Sequence, residues 1–231
     1  RPRAIALSSD GVVYIADGGH NRIRRVGLDG IISTVVGDGR LGSHQDDIPA
    51  IDARIDPFDV AVGSDGSVYT TEDKLLRRIG LDGIITTMTG DGINQGPSGD
   101  GEDASLASAS PSSLKINSMG EIYFTQSGIQ SIRKIGVDGI ISTIAGGEYG
   151  FGGDGGPAVA AQLSIAGDMP ITPDGEIYFA DISAHRVRRI DRNGVITTVV
   201  GTGVGGFSGD GGMGEDARLN YPRDVEVAPN G

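Results

Sequence analysis

Acidic loops are the first places in this chain where chemistry could reside. Asp100-Gly-Glu102-Asp103, and Asp210 followed by Glu215-Asp216, offer hard oxygen donors of the kind calcium takes. Calcium needs roughly six to eight oxygens, and no EF-hand spacing is present. Asp100, Glu102 and Asp210 are therefore weak calcium candidates, and one Asp per loop reads more simply as a turn or cap acceptor. No other cofactor is expected.

Basic pairs recur as Arg24-Arg25, Arg77-Arg78, Arg133-Lys134 and Arg188-Arg189. They could contact phosphates. They could equally be tied to the acids Asp17, Glu72 and Asp181, with one member of each pair solvated; Gln126 breaks that pairing in the third case. A net charge of −12 and the missing aromatic interleaving weigh against nucleic acid. The matches Gly37-Asp-Gly39-Arg-Leu-Gly42 and Gly201-Thr-Gly203-Val-Gly-Gly206 lack the long helix that a dinucleotide fingerprint requires. His20, His44 and His185 show no convergent ligand spacing, and His185 aligns with Asn21 rather than with His20. The absence of cysteine excludes disulfides and thiol chemistry, and no apolar run is long enough to span a membrane.

The elements that would position these residues form a repeat of about 55 residues. Gly11-Val-Val-Tyr14, Gly66-Ser-Val-Tyr69, Gly120-Glu-Ile-Tyr123 and Gly175-Glu-Ile-Tyr178 mark one strand of each unit. Asp29-Gly30, Asp82-Gly83, Asp138-Gly139 and Asn193-Gly194, each before an apolar-Thr run, mark a hairpin and the last strand. The Asp/Asn-Gly pairs predict two-residue type I′ turns, and hence antiparallel neighbours. The first strand of each unit is expected at 4–7, 59–62, 113–116 and 168–171, with a fifth copy at 224–227. Pro2, Pro57, Pro111 and Pro222 precede these strands, with Ala166 in the fourth unit.

A long loop follows each unit: Asp46…Ala50-x-x-Ala53, Asp100…Ala104-x-x-Ala107, Asp154…Ala158-x-x-Ala161 and Asp210…Gly214-x-x-Ala217. The spacing predicts a short helical turn capped by the Asp, packed across the junction to the next unit. Units of this kind cannot bury both faces alone, which favours an all-β propeller of four-stranded antiparallel blades. The blades fall at about 1–55, 56–109, 110–164 and 165–220, with a partial fifth unit over 221–231.

The string Gly153–Leu163, with Ile122–Gly146, resembles NHL repeats in their looped form, similar to bacterial NHL-repeat proteins and the teneurin propeller. The resemblance implies a ring commonly of six blades, of which this chain is expected to be an excerpt with four complete blades plus one extra inner strand. Some NHL propellers are lyases that hold a channel metal on inner-strand histidines; this chain has no His on any predicted first strand.

Positions that vary within the repeated frame are the binding candidates at the channel mouth: Arg3, Phe58, Asp59, Ser112, Asp168, Arg223 and Asp224. The favoured expectation is a non-enzymatic scaffold binding a protein or other macromolecule, outside the cell or at its surface, with a cytoplasmic location as the alternative. A metal-dependent lyase or lactonase-like hydrolase using Asp59, Asp168 or Asp224 is the second reading, and RNA binding the third.

Overall fold

The computed structural model describes residues 1–42, 45–90, 98–126, 128–164 and 167–228. The first sheet runs β1 (Ala4–Leu7), β2 (Val13–Asp17), β3 (Arg22–Val26), β4 (Ile32–Val36), each strand beside its sequence neighbour. The second comprises β5 (Ile48–Pro49), β6 (Asp59–Val62), β7 (Val68–Glu72), β8 (Leu75–Ile79) and β9 (Ile84–Thr89), in the order β5-β9-β8-β7-β6. The third runs β10 (Pro111–Ile116), β11 (Ile122–Gln126), β12 (Ser131–Ile135), β13 (Ile141–Gly146). A short parallel pair, β14 (Glu148–Tyr149) and β15 (Gln162–Leu163), lies in the following loop.

The fourth sheet departs from expectation. It has three strands, β16 (Ile177–Asp181), β17 (Arg186–Ile190) and β18 (Ile196–Val200). Its predicted first strand, 168–171, is reduced to an isolated bridge between Ile171 and Ile177. Pro170 and Pro173 supply no N–H there, which shortens the ladder. The predicted fifth strand at 224–227 is not a strand either, and among the described residues it has no ladder partner. The count of four complete blades plus an extra strand is corrected accordingly. Ala166 and His44 lie outside the described residues.

The hairpin turns also differ from type I′. Gly30 lies at φ +76° while Asp29 keeps a negative φ. The Gly27 N–H donates to the Ile31 carbonyl at 3.0 Å and the Gly30 N–H to the Gly27 carbonyl at 2.9 Å. This is a type I turn closed by a left-handed glycine, the three-residue hairpin with a bulge. The Asp29 side chain favours it by accepting from the Ile31 N–H at 3.0 Å, and Asp82 and Asp138 do the same at Ile84 and Ile140.

The long loops form the predicted helical turns as 3₁₀ segments at Ala50–Asp52, Ala104–Leu106, Ala158–Ala160 and Gly214–Asp216. Ala50, Ala53 and Ile55 from the first loop are buried with Ile23 and Val36 of the first sheet and Val60, Ile79 and Ile85 of the second. The loop thus seals a junction between sheets, as expected. Its backbone also extends the second sheet, since Ile48 pairs with Ile85 across β5 and β9.

The described residues divide into two compact units, Arg1–Ile122 with Ile135–Ile141, and Tyr123–Lys134 with Ser142–Gly231.

Candidate functional site

In the first unit, the positions chosen for their variability are tied into the frame to different degrees. Arg3 Nη1 donates to Asp56 Oδ1 at 2.9 Å and to the Pro57 carbonyl at 3.3 Å. Its guanidinium stands 4.2 Å from the Phe58 ring centroid, a cation–π contact. Phe58 itself is 41% exposed, so this stacked pair is presented at the surface.

Asp59 is used differently. Its Oδ1 accepts from the Val60 N–H at 2.8 Å and its Oδ2 from the Leu114 N–H at 2.7 Å. Thr70 Oγ1 donates to the Asp59 carbonyl at 2.8 Å, and Thr71 Oγ1 to the Ser112 carbonyl at 2.8 Å. The Asp59 carboxylate therefore staples β6 to β10, with Ser112 held in the same lattice through its backbone. Charge-assisted bonds of this type are roughly twice as strong as neutral ones.

In the second unit, the Asp168 N–H donates to the Arg223 carbonyl at 3.3 Å. A side chain at Gly167 would lie 2.4 Å from that same carbonyl, which explains why a glycine stands there. The Arg223 and Asp224 side chains are exposed.

The first arginine of three of the four basic pairs has a role that the sequence reading captured only in part. Arg77, Arg133 and Arg188 are fully buried. Arg77 lies 3.6 Å from Glu72, and Arg188 lies 3.4 Å from Asp181, as the strand-end pairing anticipated. Each also receives a carboxylate from the preceding long loop. Arg77 Nη2 donates to Asp46 Oδ1 at 2.8 Å, and Arg188 Nη2 to Asp154 Oδ1 at 2.7 Å.

The loop Asp is completed by a threonine of the last strand: Thr87 Oγ1 donates to Asp46 at 3.0 Å and Thr198 Oγ1 to Asp154 at 2.6 Å. A register shift falls beside each arginine, at Leu76/Arg77 and at Val187/Arg188. Asp46 and Asp154 are thus not helix caps, which corrects the expectation. A cap of that kind occurs at Asp103, which accepts from the Ser105 N–H at 2.9 Å. The signal was available, because an Asp in the loop, the first Arg and a Thr at 34, 87, 143 and 198 recur together.

Burial opposes ionisation of Asp154, but hydrogen bonds from Thr198 and Arg188 and the charges of Arg188 and Arg186 outweigh it. Its carboxyl is held below the ordinary aspartate value of 3.8. The second arginines are partly exposed and also paired, Arg78 with Asp65 at 3.5 Å and Arg189 with Glu176 at 3.6 Å.

Glu102 contributes its backbone, accepting from the Ile141 N–H at 3.0 Å, and Asp210 is exposed. Among the described residues no three His, Asp or Glu side chains are grouped to hold a metal. His20 Nδ1 contacts Asp17 at 2.9 Å, whereas the His185 Nδ1 accepts from the Tyr221 N–H at 3.1 Å. Asn21 and His185 occupy the same left-handed position, φ +54° and φ +55°, as the alignment of the repeats required.

No family model matches the chain. It is 29% identical to Teneurin-m of Drosophila melanogaster over 214 residues, covering 82% of this chain. It is 30% identical to Teneurin-4 of Mus musculus over 221 residues, covering 83% of this chain. It spans 8% of the length of each of these relatives. Among solved structures, virginiamycin B lyase from Staphylococcus aureus matches with a TM-score of 0.56 at 22% identity, over 85% of this chain and 54% of that one. A nidogen/laminin complex matches with a TM-score of 0.62 at 15% identity, over 96% of this chain and 66% of the other. These structural likenesses bear on fold alone. Taken with the four-fold repeat and its antiparallel sheets, they identify the architecture: the chain belongs to the NHL-repeat propellers, in a form related to that of the teneurins.

Proposed function

We propose that the chain is a non-enzymatic NHL propeller segment that serves as a rigid protein-interaction scaffold within a larger protein, outside the cell or at its surface. The observation that carries this reading is the use of Asp59. A channel metal held at Asp59 would need its carboxylate, yet both oxygens are engaged by the backbone N–H groups of Val60 and Leu114. The residues around it serve to fix strands rather than to activate a nucleophile. The relation to the teneurins supports the placement in a larger protein.

What the frame offers a partner is the stacked Arg3–Phe58 pair, an arginine and an aromatic of the kinds that anchor protein interfaces, on a scaffold already paid for by the repeat. Phosphate recognition by the basic pairs is disfavoured, because Arg77, Arg133 and Arg188 are fully buried. Metal analysis of the purified chain, with calorimetric titration of zinc and calcium, tests the proposal. It predicts no stoichiometric ion; one tightly held ion per chain, lost on Asp59→Asn, would replace the scaffold with the lyase or lactonase-like reading.

A further inference from the structure

Three hairpins of the first compact unit carry the same pair of side chains at their tips. The corner residue of each turn between third and fourth strands is apolar, and an aspartate follows it: Leu28-Asp29, Leu81-Asp82 and Val137-Asp138. Leu28 and Leu81 are each 76% exposed and Val137 74%. A single exposed leucine needs no explanation. Here one turn position carries the feature in three sheets, and the turn does not require it, since this corner accepts most residue types. The fourth hairpin shows as much within the chain. Arg192 takes the corner and pairs with Asp174 at 2.6 Å, and the turn still closes from the Gly194 N–H to the Asp191 carbonyl at 2.9 Å.

The three hairpins lie at one end of their sheets. Arg3, just before β1, donates to Asp56 and to the Pro57 carbonyl, just before β6. Asp59, the first residue of β6, accepts from the Leu114 N–H of β10, and Thr71 donates to the Ser112 carbonyl. The first strands of the three sheets therefore start side by side, and the turns that follow them, at Gly11, Gly66 and Gly120, emerge together at the far end. The apolar corners sit over those turns. A Cβ at Gly11 would lie 3.4 Å from Leu28, one at Gly66 3.3 Å from Leu81 and one at Gly120 3.9 Å from Val137. Met119, also exposed, adds to the third sheet's share. The charge beside this apolar row is negative. Asp29, Asp82 and Asp138 are exposed, each engages a backbone N–H of its own turn through Oδ1, and among the described residues no cation pairs with them.

We propose that this row is a docking surface for a segment of a partner protein in which basic and apolar side chains alternate. The segment's apolar side chains cover Leu28, Leu81 and Val137, and its cations meet the aspartates beside them. Removing the leucines and the valine from water supplies affinity, and the carboxylates select against acidic partners. The surface lies at the opposite end of the sheets from Arg3 and Phe58, so neither assignment depends on the other.

Fluorescence anisotropy of a labelled peptide with lysine and leucine in alternation, titrated with the intact chain at physiological ionic strength, tests this. The peptide should bind, and a lysine–serine peptide of equal charge should bind about tenfold or more weakly. Joint exchange of Leu28→Ser, Leu81→Ser and Val137→Ser should weaken binding about tenfold or more. Joint exchange of Asp29→Asn, Asp82→Asn and Asp138→Asn should do the same, with the residue that Asn193 already supplies in the fourth hairpin. Circular dichroism checks that both variants keep their sheets. No binding overturns the proposal, and so does equal binding of the two peptides or binding that survives either set of exchanges. Self-association of the chain that is lost in the serine variant assigns the row to a second copy and likewise overturns it.

Discussion

Asp46 and Arg77 stand 31 residues apart, one in a loop and the other on the second sheet's third strand, and meet at 2.8 Å. The arginine is fully buried and the aspartate 41% exposed. The pair is therefore not an ordinary surface ion pair, most of which contribute little. Its cation has left water entirely, and leaving it without a partner would be costly. Asp154 and Arg188 repeat the relationship 34 residues apart, at 2.7 Å. The contact is how one repeat holds the next.

The two halves of that latch should be unequal. Arg188→Met removes the cation beside the fully buried Asp181 carboxylate, leaving it the hydrogen bonds from Ser164, and should cost about 3–5 kcal/mol. Asp154→Asn leaves Arg188 with Asp181 and the Gly152 and Gln162 carbonyls, at a partly exposed position, and should cost about 1 kcal/mol. Urea denaturation of both variants checks the order; equal losses would mean the arginine is not the buried member that matters.

Glycines at two places in the repeat should respond differently to alanine. Gly30 has a positive φ but open space around a would-be Cβ. Alanine there should cost about 1–2 kcal/mol from the left-handed backbone alone. At Gly201, φ +101°, the Cβ would lie 2.4 Å from the His185 carbonyl, so the loss should be larger. Valine at Gly30 or Gly139 should damage folding more than alanine, because a β-branched side chain tolerates positive φ poorly. Melting temperatures rank these variants; parity between Gly201→Ala and Gly30→Ala would contradict the close approach.

Asp59→Asn should destabilise the chain by about 1.5–3 kcal/mol, because an amide cannot accept from both Val60 and Leu114 without turning an N–H toward one of them. An unchanged denaturation midpoint would show that the carboxylate is not the staple between β6 and β10.

Stability should fall in acid with a defined sign. The Asp154 carboxyl is held below 3.8 in the folded chain, by Thr198 and Arg188 acting against burial. Asp65 is lowered chiefly by the hydrogen bond from the Ser67 backbone. A group with a depressed folded value binds its proton later than the unfolded chain does. Its contribution is therefore complete above the ordinary aspartate range and is lost as the pH drops through the folded value. Melting temperature should be level near pH 6, decline below about pH 4, and decline less steeply in Asp154→Asn. An identical acid slope in that variant would remove Asp154 from the account.

Much of the fold was legible because turns and strands repeat with the same residues. The Tyr-bearing strands, the arginine strands and the 3₁₀ turns fall where the repeat puts them. The first strand expected at 168–171 in the fourth sheet is reduced to a bridge, because Pro170 and Pro173 remove ladder donors within its apolar pattern. The turn type was misassigned because Asp-Gly serves two hairpin geometries, and only the hydrogen bond from Gly27 to Ile31 distinguishes them. At the candidate site, variability singled out Arg3, Phe58, Asp59, Ser112, Asp168, Arg223 and Asp224 alike, and could not show that Asp59 faces backbone donors. The loop aspartates were read locally, as caps, although their partners sit more than thirty residues away in another sheet.

The account rests on the loop carboxylate being a latch between repeats, and a double-mutant cycle at one junction tests that most directly. Asp46→Asn, Arg77→Met and the double variant should give a coupling energy of about 1–3 kcal/mol in equilibrium denaturation. Losses that simply add, within about 0.3–0.5 kcal/mol, would contradict it.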